Sequence, residues 1–229
     1  MKNLLTFLLL ACLSFSSQAQ MTQSELLKKS IQYHDPNGVW DDSNIILTLE
    51  QTRPNSDARD QNFVHINNQS GDFEVIKKTK EGDILRGVKD GKCVQKFNNN
   101  PPSEEIIEKY RLTCERSEMY RNYYTYLYGL PMKLRDPGTI LGDQILEMDF
   151  QGTSYNAIRV TYEAEVGSDT WYFFFDKETN ALSGYKFYKD ESKNDGEYIT
   201  LEGEEVVNGI KIPKTRAWYY NSDGGYLGT

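Results

Sequence analysis

The sequence contains few of the residues and motifs on which enzyme chemistry depends. Its 229 residues include two histidines, His34 and His65, and no G-x-S-x-G, H-E-x-x-H, C-x-x-C or phosphate-binding glycine loop. We interpret His34, which precedes Asp35-Pro36, as a helix-end residue that favours the helix dipole and anchors a turn. We interpret His65 as a structural or exposed strand residue. The sequence therefore predicts no catalytic residue, no metal site and no cofactor.

The chain also has fewer positively than negatively charged residues. The chain has 26 Lys and Arg against 34 Asp and Glu, which gives a formal net charge of −8, and its basic residues are spread out rather than clustered. Nucleic-acid binding depends on concentrated positive charge, so we predict no nucleic-acid partner. Acidity of this kind mainly contributes solubility.

Long apolar runs are absent except at the N-terminus. Lys2 precedes the run Leu4–Leu13, and Ser17-Gln18-Ala19 offers a small-residue cleavage site, which together are typical of a secretory signal peptide. We expect residues 1–19 to be removed, and the mature protein to be periplasmic or secreted. An alternative is lipidation of Cys12 within Leu9-Leu10-Ala11-Cys12, although the apolar run continues past this cysteine.

Cysteine is scarce as well. Two cysteines, Cys93 and Cys114, remain after signal cleavage, in a compartment where disulfides persist. A bridge between them would stabilise the fold by about 3 kcal/mol in the chain-entropy model. The sequence alone leaves both the paired and the unpaired state open.

The remainder, residues 20–229, contains no linker and predicts a single domain. Thr22 and Glu25 have capping-box spacing at the start of a first helix, and Ser103 is expected to cap a second helix. Alternating segments separated by turn residues predict about eleven strands, in two runs on either side of the second helical region. Because so many twisted strands cannot stay flat, we predict an α+β fold. Its strongly curved antiparallel sheet would form a half-open barrel, with the N-terminal helix and an inserted helix pair on the concave side.

The stretch Ser117–Leu134 is the most distinctive part of the chain. Placed on a helix, its tyrosine, leucine and methionine side chains fill an arc of roughly 200°, wider than the single stripe of a helix that only covers a sheet. We therefore expect the surplus to meet a second surface. Tyrosine pairs a large apolar ring with a hydroxyl that needs water or a hydrogen-bond partner, which suits the rim of a cavity. The alternative is a wide core helix whose hydroxyls reach solvent.

Four segments combine aromatic, glycine and proline residues in a fixed order. They are Tyr33-His34-Asp35-Pro36 with Gly38 and Trp40, Arg121-Asn122-Tyr123-Tyr124 with Tyr128-Gly129-Leu130-Pro131, Trp171-Tyr172-Phe173 with Asp176 and Thr179, and Asn208-Gly209-Ile210-Lys211-Ile212-Pro213. The combination resembles an uncharacterised secreted family placed near the LolA/LolB-like superfamily of outer-membrane lipoprotein-sorting proteins. The resemblance covers nearly all of the mature chain. It implies helices on the concave side of a half-open barrel, an apolar cavity that holds acyl chains, and no catalysis.

The resemblance also implies an arginine inside the cavity. The sequence does not place it; Arg53, beside Pro54, is a candidate to which we assign no role.

We predict a non-enzymatic envelope protein that binds an apolar ligand, such as an acyl chain, a lipid or the acyl chains of a lipoprotein, and that could touch a membrane peripherally. The predicted ligand-binding residues are Tyr123, Tyr124, Tyr126, Leu127, Tyr128 and Leu130 on the helix, and Trp171, Phe173 and Phe175 on the opposite wall. The alternative is a structural or protein-interaction module in which the helices fill the barrel and leave no room for a ligand.

Overall fold

The computed structural model describes residues 21–229. The predicted signal peptide, residues 1–19, and the alternative lipidation site at Cys12 lie outside the described residues. Within the described part, the chain forms three α-helices: α1 (Gln23–His34), α2 (Glu104–Tyr110) and α3 (Cys114–Gly129). None of the helices in residues 21–229 is long and apolar enough to cross a membrane.

Thirteen strands account for most of the remaining regular structure of residues 21–229. The first five are β1 (Asn44–Arg53), β2 (Ser56–Asn67), β3 (Asp72–Lys78), β4 (Asp83–Lys89) and β5 (Lys92–Phe97). The other eight are β6 (Thr139–Leu141), β7 (Leu146–Phe150), β8 (Thr153–Tyr162), β9 (Thr170–Phe175), β10 (Leu182–Tyr188), β11 (Glu197–Val207), β12 (Ile210–Tyr220) and β13 (Tyr226–Gly228).

The strands form two antiparallel sheets that meet at one edge. The first sheet has five strands in the order β1-β2-β3-β4-β5, and the second has eight in the order β13-β12-β11-β10-β9-β8-β6, with β7 also paired to β8. Thr52 of β1 and Thr229, which follows β13, exchange backbone hydrogen bonds of 2.8 and 3.3 Å. One curved surface therefore runs from β5 through β1 and β13 to β6, which confirms the predicted α+β fold and half-open barrel.

The strand count differs from the predicted one for local reasons. The strands β6 and β13 have three residues each, which is too short for an alternating pattern to be visible in the sequence. Two predicted strands, Ile210–Pro213 and Arg216–Tyr220, are instead parts of the single strand β12. This strand of 11 residues continues through Pro213. Pro213 nevertheless keeps its place in the ladder, opposite Glu204 of β11.

The first helix begins as its capping pattern predicts. The hydroxyl of Thr22 accepts the backbone N–H of Glu25, and the Glu25 carboxylate accepts the backbone N–H of Thr22 at 2.7 Å. Leu26 and Leu27 of this helix are buried in a core cluster with residues of β8, β9, β10 and β11. The helix therefore lies on the concave side of the second sheet.

The helix α3 lies between the two sheets, and this explains its wide apolar arc. Leu127 packs into the cluster formed by α1 and the second sheet. Tyr120, Tyr124 and Tyr128 pack on the opposite side, against the buried side chains of the first sheet. The helix begins at Cys114, because Thr113 caps it, and ends at Gly129, so it is shifted toward the N-terminus relative to the predicted span Ser117–Leu134.

A covalent link fastens α3 to the edge of the first sheet. Cys93 of β5 and Cys114, the first residue of α3, form a disulfide with their Cα atoms 5.4 Å apart. The preceding helix α2 is capped by the hydroxyl of Ser103, which accepts the backbone N–H of Ile106. The helical insert is thus held at its N-terminal end by the disulfide and at its sides by the two sheets.

Candidate functional site

One end of the half-barrel is closed by the turn that follows α1. The buried imidazole of His34 donates from Nδ1 to the carbonyl oxygen of Lys211 at 2.8 Å, and its Nε2 accepts the backbone N–H of Leu182 at 2.9 Å. A carbonyl can only accept and an N–H can only donate, so these partners fix the neutral tautomer. Burial lowers the pKa of His34. The predicted anchoring role is confirmed by these contacts, but a neutral ring contributes no charge to the helix dipole.

The same end is packed by Trp40 against the last turn of α3. The carboxylate of Asp35 accepts the backbone N–H of Trp40 at 2.9 Å and so positions it. A Cβ added to Gly129 would lie 2.4 Å from Cζ2 of Trp40, so this approach requires glycine. We call the region of His34, Trp40, Gly129 and Lys211 the closed end.

A ladder of tyrosine rings runs along α3 on the side of the first sheet. The rings of Tyr120 and Tyr124 stack with centroids 6.1 Å apart, and so do those of Tyr124 and Tyr128. The guanidinium of Arg86 lies 4.7 Å from the ring centroid of Tyr120, and that of Arg216 lies 4.3 Å from the ring centroid of Tyr128. A cation therefore covers each end of the ladder. This arrangement fills the space between α3 and the first sheet with packed rings.

Arg216 is a buried arginine that the sequence gave no reason to select. It lies on β12 with 6% of its surface exposed, and it donates to the carbonyl oxygens of Pro213 at 2.7 Å and Leu127 at 3.4 Å. Arg53 lies instead on the surface, where its side chain is 56% exposed and its guanidinium is 3.5 Å from the Asp60 carboxylate. Arg216 stands between Thr215 and Ala217, and this local sequence carries no signal that its side chain is buried.

A cleft opens beside α3 and borders the closed end through Asn68, which lines the cleft and donates to the carbonyl oxygen of Trp40 at 2.8 Å. The cleft has a volume of about 740 Å³ and lies between the turn that joins β2 to β3, one face of α3, and the segment that joins β8 to β9. Its apolar and aromatic lining consists of Ile66, Tyr123, Tyr126, Tyr162, Val166 and Trp171. Polar side chains, including those of Arg121 and Asp169, stand around them. The volume is within the usual range of small-molecule sites, roughly 300–1,000 Å³.

Three of the nine predicted ligand-binding residues line this cleft, namely Tyr123, Tyr126 and Trp171. The other six do not line it. Leu127, Leu130, Phe173 and Phe175 are buried in the core behind the cleft, whereas Tyr124 and Tyr128 belong to the ring ladder on the other side of α3.

The cleft also contains residues that the sequence gave no reason to select. Tyr162, Val166 and Asp169 come from the end of β8 and the loop after it, and loop residues carry no periodic pattern. Ile66 belongs to β2 of the first sheet. Only the fold shows that these residues face the tyrosine helix.

At the base of the cleft the aromatic side chains contact one another. The hydroxyls of Tyr126 and Tyr162 are 2.5 Å apart, and the ring of Tyr126 lies edge-on to that of Trp171 with centroids 5.7 Å apart. Burial raises the pKa of Tyr162 to about 12, so both hydroxyls stay protonated at neutral pH. Tyr126 and Tyr162 thus contribute aromatic rings whose protonated hydroxyls share one hydrogen bond and are not activated for nucleophilic attack.

Comparison with solved structures confirms the fold resemblance. The LolA superfamily protein NE2245 from Nitrosomonas europaea superposes with a TM-score of 0.50, at 11% identity, over 91% of this chain and 90% of that one. A DUF1329 family protein from Desulfovibrio piger gives a TM-score of 0.41, at 10% identity, over 90% of both chains. The match to the Nitrosomonas europaea protein shows a shared fold, and at 11% identity it does not show a shared activity.

Comparison with curated proteins gives no match. A family model does match, over residues 2–229, and its family is described as one of unknown function. Since the match spans nearly the whole chain, the protein belongs to the family of unknown function DUF6503.

Proposed function

We propose that this protein is a non-enzymatic envelope protein that binds an apolar ligand in the cleft beside α3. The observation that carries the proposal is the cleft itself, with its volume of about 740 Å³ and its wall of Tyr123, Tyr126 and Trp171. The wall offers partly exposed aromatic surface, while the core behind it is fully packed. An acyl chain, a lipid or the acyl group of a lipoprotein has the chemistry that such a wall accommodates.

Desolvation would supply the driving force. Each buried methylene contributes about 0.8 kcal/mol, so an acyl chain of ordinary length contributes on the order of 10 kcal/mol before the costs of association and ordering. One of the hydroxyls of Tyr126 and Tyr162 donates to the other, so an apolar chain that covers them leaves one O–H donor without a partner instead of two. The LolA type of fold supports the proposal, because the resemblance implies a carrier of acyl chains.

The location that suits this function is outside the cytoplasm. Signal cleavage near Ala19 would deliver the mature chain to the periplasm or beyond it, where acyl groups of membranes and lipoproteins are accessible. Peripheral contact with a membrane would bring the mouth of the cleft to its ligand.

A second candidate function rests on how completely the interior is filled. Leu130, Phe173 and Phe175 are at most 2% exposed, so the concave face behind α3 has no free volume at these residues. A structural or protein-interaction module would need such packing and no ligand. The two candidates differ in whether the cleft takes up an apolar molecule.

Delipidated protein titrated with a fluorescent acyl probe tests the proposal. We expect saturable uptake, and we expect Tyr123→Ala to weaken it about tenfold, because a buried aromatic ring typically contributes 1.5–3 kcal/mol, roughly. Tyr226→Ala is the matched control, since Tyr226 is also an exposed tyrosine, 39% against 46% for Tyr123, but lies on β13 away from the cleft. Absence of uptake by the wild-type protein, or equal loss in the two variants, would refute the proposal and favour the second candidate.

A further inference from the structure

A row of side chains crosses the concave face of the second sheet and continues from the cleft. Trp171 of β9 is paired with Phe187 of β10, Phe187 with Glu197 of β11, and Glu197 with Tyr220 of β12. Paired residues of an antiparallel sheet point to the same side. Trp171 lies on the concave side, because it packs with Phe173 in the core cluster there. We call these four residues the Glu197 row.

The row is aromatic on both sides of its carboxylate. The rings of Trp171 and Phe187 stack with centroids 4.8 Å apart, and Tyr220 is 47% exposed. Tyr123 connects the row to the cleft. It lines the cleft together with Trp171, and burial together with the charges of neighbouring groups, including Glu197, raises the pKa of its hydroxyl. The carboxylate therefore stands between the aromatic residues Phe187 and Tyr220 of the neighbouring strands, two strands away from Trp171 of the cleft.

Among residues 21–229, no ion pair joins the Glu197 carboxylate to a lysine, arginine or histidine side chain. It is partly buried, and this burial raises the pKa of its carboxyl, an effect that the more distant charge of Lys189 opposes. A partly desolvated carboxylate among aromatic rings is unfavourable unless a cation joins it. The position therefore favours the approach of a cation.

Negative charge extends from Glu197 toward the cleft. Asp169 lines the cleft, and its pKa is raised by burial and by the nearby charge of Asp195, while Lys189 acts in the opposite direction. The carboxylates of Asp169, Asp195 and Glu197 therefore lie along this edge with one lysine, Lys189, near them. On the α3 side of the cleft, Lys133 is already paired with Asp136. The edge of the cleft at Asp169 is therefore complementary to a positively charged group, whereas Arg121 supplies positive charge on the α3 side.

We propose that the Glu197 row binds the cationic head group of an amphiphile, an organic amine or quaternary ammonium, whose apolar part lies in the cleft against Tyr123 and Trp171. The inference rests on the proposed function and specifies its ligand class. Aromatic faces attract an organic cation through their quadrupoles, and an adjacent carboxylate adds charge attraction. An ammonium group fits this pair of features, whereas a carboxylate head group is repelled by Glu197.

Three probes that differ only in the head group test the inference, namely octyltrimethylammonium, octanol and octanoate, each titrated calorimetrically below its aggregation concentration. We expect the ammonium probe to bind about tenfold more tightly than octanoate. Glu197→Gln should weaken ammonium binding by roughly 3- to 30-fold and leave octanol binding unchanged. Glu202→Gln is the matched control, because Glu202 lies on the same strand, is exposed and alternates to the convex face; it should bind all three probes as the wild type does.

The outcomes separate the two proposals. If octanol binds but the ammonium probe shows no advantage over octanoate in the wild-type protein, the head-group inference is wrong and the apolar site stands. If Glu197→Gln and Glu202→Gln bind the ammonium probe equally, the inference is also wrong. If none of the probes binds, both the inference and the proposed function fail. The wild-type comparison requires no variant, so a folding defect in Glu197→Gln cannot hide the answer.

Discussion

The neutral imidazole of His34 makes the stability of this fold depend on pH in a specific window. Its Nε2 accepts the backbone N–H of Leu182, which is 4% exposed, and a protonated ring could not accept this bond. Burial lowers the pKa of His34 in the folded state below the value of about 6.5 in the unfolded chain. The stability contributed by the neutral ring is therefore complete above about pH 6.5 and is lost as the pH falls from there through the lower folded-state pKa.

The magnitude follows from linkage. Each unit by which folding lowers the pKa corresponds to about 1.4 kcal/mol of unfolding free energy lost across the window. A second estimate comes from removing the ring. His34→Ala leaves the N–H of Leu182 and the carbonyl of Lys211 without these partners and creates a cavity, a cost on the order of 3 kcal/mol at pH 7.5.

Urea unfolding of the wild type and of histidine variants between pH 7.5 and 5.5 measures the pH-dependent loss of stability and the loss caused by removing the ring. His34→Gln should remove the loss of stability over this range, because glutamine does not titrate, and it should lower stability at pH 7.5. His65→Gln is the matched control, since His65 is the other histidine of the chain and bonds on the sheet surface to Asn44 Oδ1 at 2.7 Å; it should keep the wild-type pH dependence. If His34→Gln keeps the wild-type slope, or His65→Gln abolishes it, the assignment of a neutral buried His34 is wrong.

Two further predictions concern the connections of α3. Reduction of the bridge between Cys93 and Cys114, or replacement of both by alanine, should lower the unfolding free energy by about 3 kcal/mol, measured by denaturant unfolding with and without reductant; an unchanged midpoint would contradict it. Gly129→Ala should cost roughly 1–3 kcal/mol because its methyl group would overlap Trp40. Gly167→Ala, whose methyl group would be no closer than 3.8 Å to its neighbours, should unfold like the wild type, and equal effects of the two alanines would contradict the packing argument.

The elements of the fold could be predicted where the sequence carries a local signal. The capping pair Thr22 and Glu25 placed α1, and Ser103 placed α2, because a cap depends on residues three positions apart. The width of the apolar arc of α3 predicted that this helix meets two surfaces, and it lies between two sheets. The division into two sheets could not be predicted, because the contact of Thr52 with Thr229 joins residues distant in sequence. The strands β6 and β13 could not be predicted because three residues are too few for a visible alternating pattern.

The candidate site was predictable only in part, because a periodic pattern identifies apolar faces but not free volume. Phe173 and Trp171 alternate on the same face of β9, and the pattern treats them alike. In the structure Phe173 is 0% exposed within the core, whereas Trp171 reaches the cleft. Which of the two can meet a ligand depends on where α3 ends its contact with the sheet. Arg216 was missed for a similar reason, since burial of a charged residue in a strand has no signal in the sequence.

His34 and the cleft residue Trp171 lie near opposite ends of β9, so stability and binding should be separable at these two positions. Strand β9 begins at Thr170, beside Trp171 in the cleft, and ends at Phe175, which pairs with Leu182, the partner of His34. Four residues of strand separate these points by about 13 Å.

Trp40 and Gly129 lie nearer to the cleft than His34 does, because Asn68, which lines the cleft, donates to the carbonyl oxygen of Trp40 at 2.8 Å. A variant of His34 should therefore lower stability and leave acyl-probe affinity unchanged at temperatures where it is folded. A variant of Tyr123, which is 46% exposed, should do the opposite. Loss of binding in folded His34→Gln would mean that the closed end and the cleft act as one unit, and that the core between them transmits the change.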